Sequence, residues 1–348
     1  MSEIETFNRG SKRVTVHDVA AAAGVSVGTV SAVINARESV RDATRRRVID
    51  VIGRLNYELP RSAALRGAGR RPRSIAMLVK EANNPFYADV MLGIRDALQD
   101  QNLTLFEGTS EGQYQAEGRM LDSFREHGVG GAIVSPVIED EGDLSHLFLL
   151  QRRGYPLVLL GDVRGLPVSS VTVDNVRASK MAVDHLIAGG HERIVHLSGP
   201  PYSQHSQDRI AGVKEAFSES HLRFDDRVVV TGGARLADGY RVARELFSGP
   251  GPHPTALTCF NDLCAIGALR ALTELGLSVP GDVSVVGYDD IELAGFLPVP
   301  LTTVHVPTRE MGRRAADLLL RQLADPDAAT ARVVLDAELV VRASTRSL

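Results

Sequence analysis

The sequence of 348 residues lacks several features that mark particular classes of protein. Its two cysteines, Cys259 and Cys264, are too few for the disulfide framework of a small secreted domain. It has no tryptophan and no run of about 18 apolar residues that could span a membrane. Its first residues, MSEIETFNRGSKR, contain no apolar stretch after their charges, so no secretory signal is recognised. These absences predict a protein of the reducing cytoplasm without a membrane anchor.

Motifs typical of enzymes and metalloproteins are also missing. The sequence contains no nucleophile elbow around a serine and no phosphate-cradling glycine loop. Asp289 and Asp290 could suggest a metal pair, but no cluster of His, Cys and Asp at ligand spacing accompanies them. Cys259 and Cys264 lack further ligands nearby and are interpreted as small buried residues. We expect no catalytic site, no metal and no cofactor.

The charge is divided unevenly along the chain. Residues 1–73 hold 14 Lys and Arg against 7 Asp and Glu, whereas the rest holds 25 against 36. This distribution, a small basic head (residues 1–73) on a larger acidic body (residues 74–348), indicates that only the head binds a polyanion.

Residues Val14–Asn35 carry the signals of two short helices around a turn. Thr15 and Asp18 form a capping-box-like start, and Gly24 suits a tight turn because it adopts positive φ easily. Ser26 can cap a second helix. The predicted buried faces of the two helices consist of Val16, Val19, Ala20, Ala23, Val30, Val33 and Ile34.

A third helix follows, with one apolar face and three exposed arginines. The apolar face consists of Val48, Val51, Ile52 and Leu55, and the arginines are Arg45, Arg46 and Arg47. Two short helices around a glycine turn, supported by a third, are typical of the helix-turn-helix, whose second helix enters a major groove. A three-helix bundle without a ligand is the alternative, and the basic surface at the chain end favours DNA.

The segment VTVHDVAAAAGVSVGTVSAVIN resembles the headpiece of the lactose-repressor (LacI/GalR) family at almost every fixed position. The resemblance implies that exposed residues opening the second helix read base edges, and here these are Val27, Gly28 and Ala32. None of them donates a side-chain hydrogen bond, so thymine methyls or DNA shape would supply part of the specificity. The candidates for contacts to phosphate and the flanking backbone are Thr15, Ser26, Thr29, Ser31, Asn35 and Tyr57.

Residues 59–73, LPRSAALRGAGRRPR, connect the head to the body. The resemblance implies a hinge helix with a leucine wedge in the minor groove, and Leu65 is the candidate wedge with Arg66 beside it. The sequence departs from the family here in two ways. The usual Pro-Asn opening is Pro60-Arg61, and Leu65 lies one residue closer to Tyr57 than the corresponding leucine of the family. A linker without order of its own is the alternative.

From Ser74 onwards, short β-branched apolar runs alternate with helical stretches. The runs are Ile75–Val79, Gly131–Ser135, Leu157–Gly161, Ile194–Gly199 and Val283–Asp289. Such alternation predicts parallel sheets with helices on both faces, and ligands of open α/β sheets lie beyond the carboxyl ends of strands. The candidate ligand residues therefore lie at Asn83–Tyr87, Ser135, Asp162, Pro200–Arg209, Asn261 and Asp289.

The body resembles the periplasmic-binding-protein-like effector domain of the same family, through stretches such as Asn84–Tyr87, Phe260–Asp262 and Gly287–Asp289. The resemblance implies two doubly wound parallel-sheet lobes, connected to each other by three chain crossovers and preceded by an α-helical helix-turn-helix headpiece. We expect the headpiece at 1–58, the linker at 59–73 and the effector and dimerisation domain at 74–348. Lobe one would hold 74–174 and 304–331, and lobe two 175–303 and 332–348.

Matched positions imply an effector site of Phe86, Tyr87, Asp162, Arg209, Asn261 and Asp289, to which Ser135 is added. Ser203, His205 and Gln207 stand where relatives have other contacts, and Ala234 replaces an aromatic residue. Charged and amide groups opposite an aromatic face suit a small polar ligand such as a sugar or a nucleobase.

These observations predict a sequence-specific transcriptional regulator, a repressor, whose operator affinity is controlled by a small polar effector. A homodimer on a pseudopalindromic operator is expected, because one headpiece reads only a half-site. One alternative is the solute-binding protein of a sugar transporter. The other is a corepressor-dependent regulator that responds to a nucleobase-like ligand.

Overall fold

The structure, a computed structural model, describes residues 14–34, 40–55, 57, 73–138 and 144–348. It divides the chain into two compact units. The first comprises Met1–Gly69, Asp143–Tyr155 and Val163–Pro167, and the second comprises Arg70–Gly142, Pro156–Asp162 and Val168–Leu348. Of the linker predicted at 59–73, only Arg73 belongs to the described residues.

The elements alternate between helix and strand from Ser74 onwards, as the sequence predicts. The helices are α1 Val16–Ala23, α2 Val27–Ile34, α3 Asp42–Arg54, α4 Pro85–Leu98, α5 Tyr114–Glu126, α6 Ser145–Arg152, α7 Asn175–Ala188, α8 Gln204–Glu219, α9 Leu236–Ser248, α10 Asp262–Glu274, α11 Glu292–Phe296 and α12 Thr308–Ala324. The strands are β1 Ser74–Val79, β2 Thr104–Thr109, β3 Ala132–Val134, β4 Leu157–Leu160, β5 Ser169–Val173, β6 Ile194–Ser198, β7 Val229–Thr231, β8 Ala256–Cys259, β9 Ser284–Asp289, β10 Thr302–His305, β11 Arg332–Leu335 and β12 Glu338–Val340.

In the first unit, α1, α2 and α3 pack through the apolar faces predicted for them. The buried side chains of this core are Val19, Ala20, Ala23, Val30, Val33, Val48, Val51 and Ile52. Val16 and Leu55, also predicted on the buried faces, are half-buried, and the side chain of Ile34 lies outside the described residues. Because α1 and α2 meet at a bend of 99°, they have the interhelical angle of a helix-turn-helix. The three-helix head is therefore confirmed.

One arginine of α3 does not lie where the sequence predicts. Arg46 and Arg47 are exposed, but Arg45 is only 6% exposed and its Nη1 donates to Ser145 Oγ of α6 at 3.4 Å. Arg45 precedes the buried Val48 by three residues, so both side chains lie on the same side of the helix. The prediction of an exposed Arg45 was wrong for this reason.

Among the residues that the structure describes, no single helix is long and apolar enough to cross a membrane. The α1–α2 pair reaches the necessary length and composition only when its two helices are counted together across their bend.

Two six-stranded sheets form the second unit, and each is the centre of one lobe. The first sheet has the order β11-β5-β4-β3-β1-β2 with all neighbours parallel. The second has the order β12-β10-β9-β8-β6-β7, parallel except for the antiparallel pair of β10 and β12. The predicted pair of parallel-sheet lobes is confirmed.

Helices cover these sheets in packed pairs. Helix α12 packs on α4 and on strands β3, β4 and β5 of the first sheet. In the second lobe α7 packs on α8, and α9 packs on α10. Cys259 and Cys264 are free thiols buried in the core around α9 and α10, as their interpretation from the sequence predicts.

The strand order moves two of the predicted lobe boundaries. Strand β10 lies entirely in the second sheet, so the chain returns to the first lobe after His305 and not at residue 304. Strand β11 pairs with β5 in the first sheet, so the assignment of 332–335 to lobe two was wrong. The sheet that a four-residue strand joins depends on a partner about 160 residues away, which local patterning does not contain.

Candidate functional site

Capping interactions fix both ends of α1 and the start of α2 in the helix-turn-helix. Thr15 caps α1: the Asp18 amide donates to Thr15 Oγ1 at 3.4 Å, and the Thr15 amide donates to Asp18 Oδ2 at 2.8 Å. Gly24 ends the helix with φ +62°, a conformation that costs glycine little. Ser26 Oγ accepts from the Thr29 amide at 3.1 Å at the start of α2. All three predicted signals are confirmed.

The predicted DNA contacts occupy one short stretch of this head. Ser26 and Gly28 are exposed, and Val27, Thr29, Ser31 and Ala32 are half-buried around the first turns of α2. Thr15 is exposed at the start of α1, whereas Tyr57 is buried in the head. Asn35, Leu65 and Arg66 lie outside the described residues. Their roles in DNA binding remain predictions.

A cavity in the second unit encloses about 810 Å³, part of it open to solvent, and both lobes line it. Its lining includes the residues that directly follow β1, β3, β4 and β8, which agrees with a ligand site at the carboxyl ends of strands. Eight predicted effector residues border it: Phe86, Tyr87, Ser135, Ser203, His205, Arg209, Asn261 and Asp289. The structure therefore brings most of the predicted set into one place.

Arg209 of α8 is 7% exposed and held from several sides. Its Nε donates to Asn175 Oδ1 at 3.0 Å, and its Nη1 donates to the carbonyl oxygen of Phe260. The guanidinium carbon lies 3.5 Å from the ring centre of Tyr288 and 4.6 Å from that of Phe260. This clamp leaves the arginine little rotational freedom, so it presents a preorganised cation to the cavity.

Asp289 ends β9 with an unusual backbone conformation, φ +111°, and is 8% exposed at the edge of the cavity. Burial raises the pKa of Asp289 to about 8, although the nearby charge of Arg209 acts in the opposite direction. A carboxyl group beside a clamped guanidinium can both accept and donate hydrogen bonds. Such a pair suits hydroxyl or amide groups of a ligand.

The first lobe contributes aromatic and hydroxyl groups to the cavity. Phe86 and Tyr87 stand edge to face with ring centres 5.3 Å apart. The Tyr87 hydroxyl lies 2.9 Å from Ser135 Oγ, so the two groups form a hydrogen bond at the cavity wall. The first lobe thus offers two aromatic rings and a hydrogen-bonded pair of hydroxyl groups.

Ser203 and His205 bring the start of α8 against the first lobe. Ser203 caps the helix, accepting from the Ser206 amide at 3.5 Å. Gly161 has φ +103°, and a Cβ there would lie 2.6 Å from His205 Nε2. Both the positive φ and the short distance to His205 favour glycine at position 161. Burial lowers the pKa of His205, so its imidazole is neutral at physiological pH.

Asn261 borders the cavity with its amide already occupied. Its Oδ1 accepts from the Cys264 amide and its Nδ2 donates to the carbonyl oxygen of Ala234, both at 2.9 Å. The side chain thus ties the start of α10 to the loop before α9.

Two predicted effector residues do not line this cavity. Asp162 accepts from Ser170 Oγ at 2.6 Å and from Arg332 Nε at 2.8 Å, and it borders a smaller neighbouring cavity. Gln207 is exposed and donates to the carbonyl oxygen of Pro201 at 2.6 Å. Their contact with an effector remains a prediction without support from the geometry.

The structure adds residues that the sequence reasoning missed. Lys80 and Glu81 directly follow β1, and Asn175 starts α7; all three line the cavity. Ligands are expected beyond the carboxyl ends of strands, and a candidate range that began directly after β1, at Lys80 instead of Asn83, would have included Lys80 and Glu81. The described residues contain no group of three or more His, Cys, Asp or Glu side chains that could hold a metal ion.

A capped helix-turn-helix and a two-lobed α/β unit with a cavity across its strand ends define a DNA-binding transcriptional regulator. Residues 15–59 match the family described as bacterial regulatory proteins, lacI family, and residues 183–345 match the periplasmic binding protein-like domain. The chain is 33% identical over 332 residues to the HTH-type transcriptional repressor PurR of Aliivibrio fischeri, strain MJ11. That match covers 95% of this chain and 98% of the relative. The chain belongs to the lacI family.

Solved structures agree with this assignment. The complex of the transcriptional regulator CelR with cellobiose superposes with a TM-score of 0.72 at 34% identity, covering 95% of this chain and all of that one. The lac repressor dimer bound to operator and the anti-inducer ONPF gives a TM-score of 0.70 at 27% identity, covering 96% of this chain and 100% of that one.

Proposed function

We propose that the chain is a repressor whose affinity for an operator is set by a small, polar, uncharged effector in the cavity. A sugar is the first candidate. The observation that carries the proposal is that a clamped Arg209 and the Asp289 carboxyl border the same cavity as the rings of Phe86 and Tyr87. Binding sites for small polar molecules usually combine apolar ring faces with a few polar groups that form hydrogen bonds to the hydroxyl groups of the ligand. The similarity to the CelR–cellobiose complex supports the same ligand class.

The proposal includes a homodimer that acts in the cytoplasm without catalysis. Support comes from the lac repressor dimer and from the exposed apolar side chains of the second unit. Phe106 on the edge strand β2 is 48% exposed, and Phe296 on α11 is 79% exposed. Large apolar groups left in water mark association surfaces. Leu65 and Arg66 remain the proposed minor-groove pair.

An effector can change operator affinity only if it binds one arrangement of the two lobes more tightly than another. Three crossovers, near residues 174, 306 and 336, connect the lobes, so a change of lobe angle can pass to the segment that joins the head. Release of DNA on effector binding is the expected direction, and tighter binding would indicate corepression.

Selection of binding sites from random duplexes, at a fixed salt concentration and without effector, tests the DNA-binding part. We expect a symmetric site with two half-sites about one helical turn apart, bound by the full chain and not by a chain that starts after residue 58. The selected duplex is then titrated in the presence of cellobiose. An arginine-to-alanine change at Arg209 should abolish any cellobiose response and spare binding of the duplex.

Absence of any enriched sequence for the full chain, with and without cellobiose, would contradict the repressor assignment. Turnover of cellobiose would contradict its role as an effector.

A further inference from the structure

An ion pair crosses between the lobes at the edge of the cavity. Glu81 follows β1 of the first lobe, and Arg235 precedes α9 of the second lobe. Arg235 Nε donates to Glu81 Oε1 at 2.8 Å. The side chain of Glu81 is 9% exposed and borders the cavity, whereas that of Arg235 is 59% exposed. The pair therefore stands where the cavity meets solvent.

Both partners are held by their own backbone surroundings. The Arg235 amide donates to Asp238 Oδ2 at 3.1 Å, which fixes the residue at the start of α9. The neighbouring Ala234 lines the cavity, and its carbonyl oxygen accepts from Asn261. On the other lobe, the Lys80 carbonyl oxygen accepts from the Gly112 amide at 2.9 Å, so the end of β1 is fixed beside Glu81. The ion pair thus joins two loops, one from each lobe, that are each anchored by hydrogen bonds.

The free-energy cost of losing the ion pair differs between a closed cleft, with the lobes together, and an open cleft, with the lobes apart. In the closed cleft the Glu81 carboxylate has lost most of its water, and an unpaired charge there is costly. When the lobes separate, water can solvate the carboxylate and the loss of Arg235 costs little. The interaction therefore favours closure of the lobes and contributes little to the stability of either lobe.

We propose that Glu81 and Arg235 form an interlobe clasp. Arg235 is the positioning residue that keeps the Glu81 carboxylate at the cavity and holds the cleft closed around a polar ligand. The effector-holding consequence rests on the proposed function, but the clasp itself exists without any ligand and can be tested without one.

Amide hydrogen exchange of the full-length chain without ligand tests the clasp. In R235A, peptides of the cavity wall around 79–84 and 198–205 should exchange about 3- to 10-fold faster than in the unaltered chain. Peptides of the core helix α10 should not change. E81A/R235A lacks the buried unpaired charge but also lacks the ion pair, so its exchange should be slower than in R235A and still faster than in the unaltered chain.

The matched control is R241A. Arg241 lies on α9, is 56% exposed and pairs with Glu245 of the same helix at 3.2 Å, so its loss removes an Arg–Glu pair that does not cross the cleft. We expect no change in the cavity-wall peptides. Exchange in R235A within about twofold of the unaltered rate, or a full return to the unaltered rate in the double variant, would overturn the clasp.

Calorimetric titration with cellobiose distinguishes the two proposals. If cellobiose binds, R235A should weaken its affinity about 3- to 10-fold, R241A should leave it unchanged, and an unchanged affinity in R235A would overturn the effector-holding role. If cellobiose does not bind the unaltered chain, cellobiose is not the effector, and hydrogen exchange still decides whether the clasp exists.

Discussion

Arg209 and Asp289 show how burial adapts two charged residues to ligand binding. The guanidinium of Arg209 is fixed by Asn175, Tyr288 and the Phe260 carbonyl. The Asp289 carboxyl instead takes up a proton more readily, because desolvation outweighs the attraction of the neighbouring arginine. The cavity is then bordered by a fixed arginine and by a carboxyl that can donate as well as accept hydrogen bonds, groups that suit the hydroxyl or amide groups of a polar ligand.

The pKa of Asp289 makes the stability of the protein depend on pH. The folded-state pKa, about 8, lies above the ordinary value of 3.8, so the folded chain binds more protons between these values. The stabilising contribution is therefore complete below about pH 4 and is lost as the pH rises through about 8. Asp262, whose pKa burial raises to about 7, acts with the same sign.

We expect D289N to reduce the fall of unfolding free energy between pH 5 and pH 8, measured by denaturant unfolding of the full chain. Part of the slope should remain because of Asp262. The control is D96N, since Asp96 is an exposed carboxylate whose pKa is lowered by Arg309, so its contribution changes only at acid pH. An unchanged slope in D289N would show that Asp289 is ionised in the folded protein at neutral pH.

At the scale of elements, the head depends on caps because its helices are short. Helices α1 and α2 have eight residues each, too few to be stable in isolation, so packing and end-capping must hold them. The capping box of Thr15 and Asp18 satisfies backbone donors at the start of α1. The position and angle of α2 relative to α1 therefore depend partly on the cap of α1.

Removal of this cap should loosen the head without touching the second unit. T15A should cost about 1 kcal/mol, which corresponds to about fivefold faster hydrogen exchange in peptides of 14–24 in the full chain. T15S keeps the hydroxyl and should exchange as the unaltered chain does. Equal exchange in T15A and T15S would show that the hydroxyl does not stabilise α1.

At the scale of the whole molecule, exposed apolar groups bear on the proposed dimer. Leu293 and Phe296 lie three residues apart on α11, so both side chains lie on the same side of this short helix. They are 49% and 79% exposed, respectively. A neighbouring subunit that covers them would remove this apolar area from water.

F296D should therefore weaken the proposed dimer, because dimerisation would bury a charge in place of an aromatic ring. We expect the dissociation constant from sedimentation equilibrium to rise about tenfold or more. L236D on α9 serves as the control, since Leu236 is a comparably exposed apolar residue at 48%. An F296D chain that dimerises like the L236D chain would exclude α11 from the interface.

The sequence by itself determined the local structure and the class of protein. Caps at Thr15 and Ser26, the turn at Gly24 and the alternation of apolar runs with helices are signals between near neighbours, and each produced the predicted element. The same patterns placed eight of the predicted effector residues at one cavity, because parallel strands end at a common edge.

Only the tertiary structure decided which distant groups meet. It buried Arg45 against Ser145, placed β11 in the first sheet, occupied Asp162 with Ser170 and Arg332, and joined Glu81 to Arg235 across the cleft. These partners are separated by 8 to 170 positions, and most by 100 or more. The physical reason is that ion pairs and strand pairing depend on proximity in space, whereas periodicity and capping are set by residues a few positions apart.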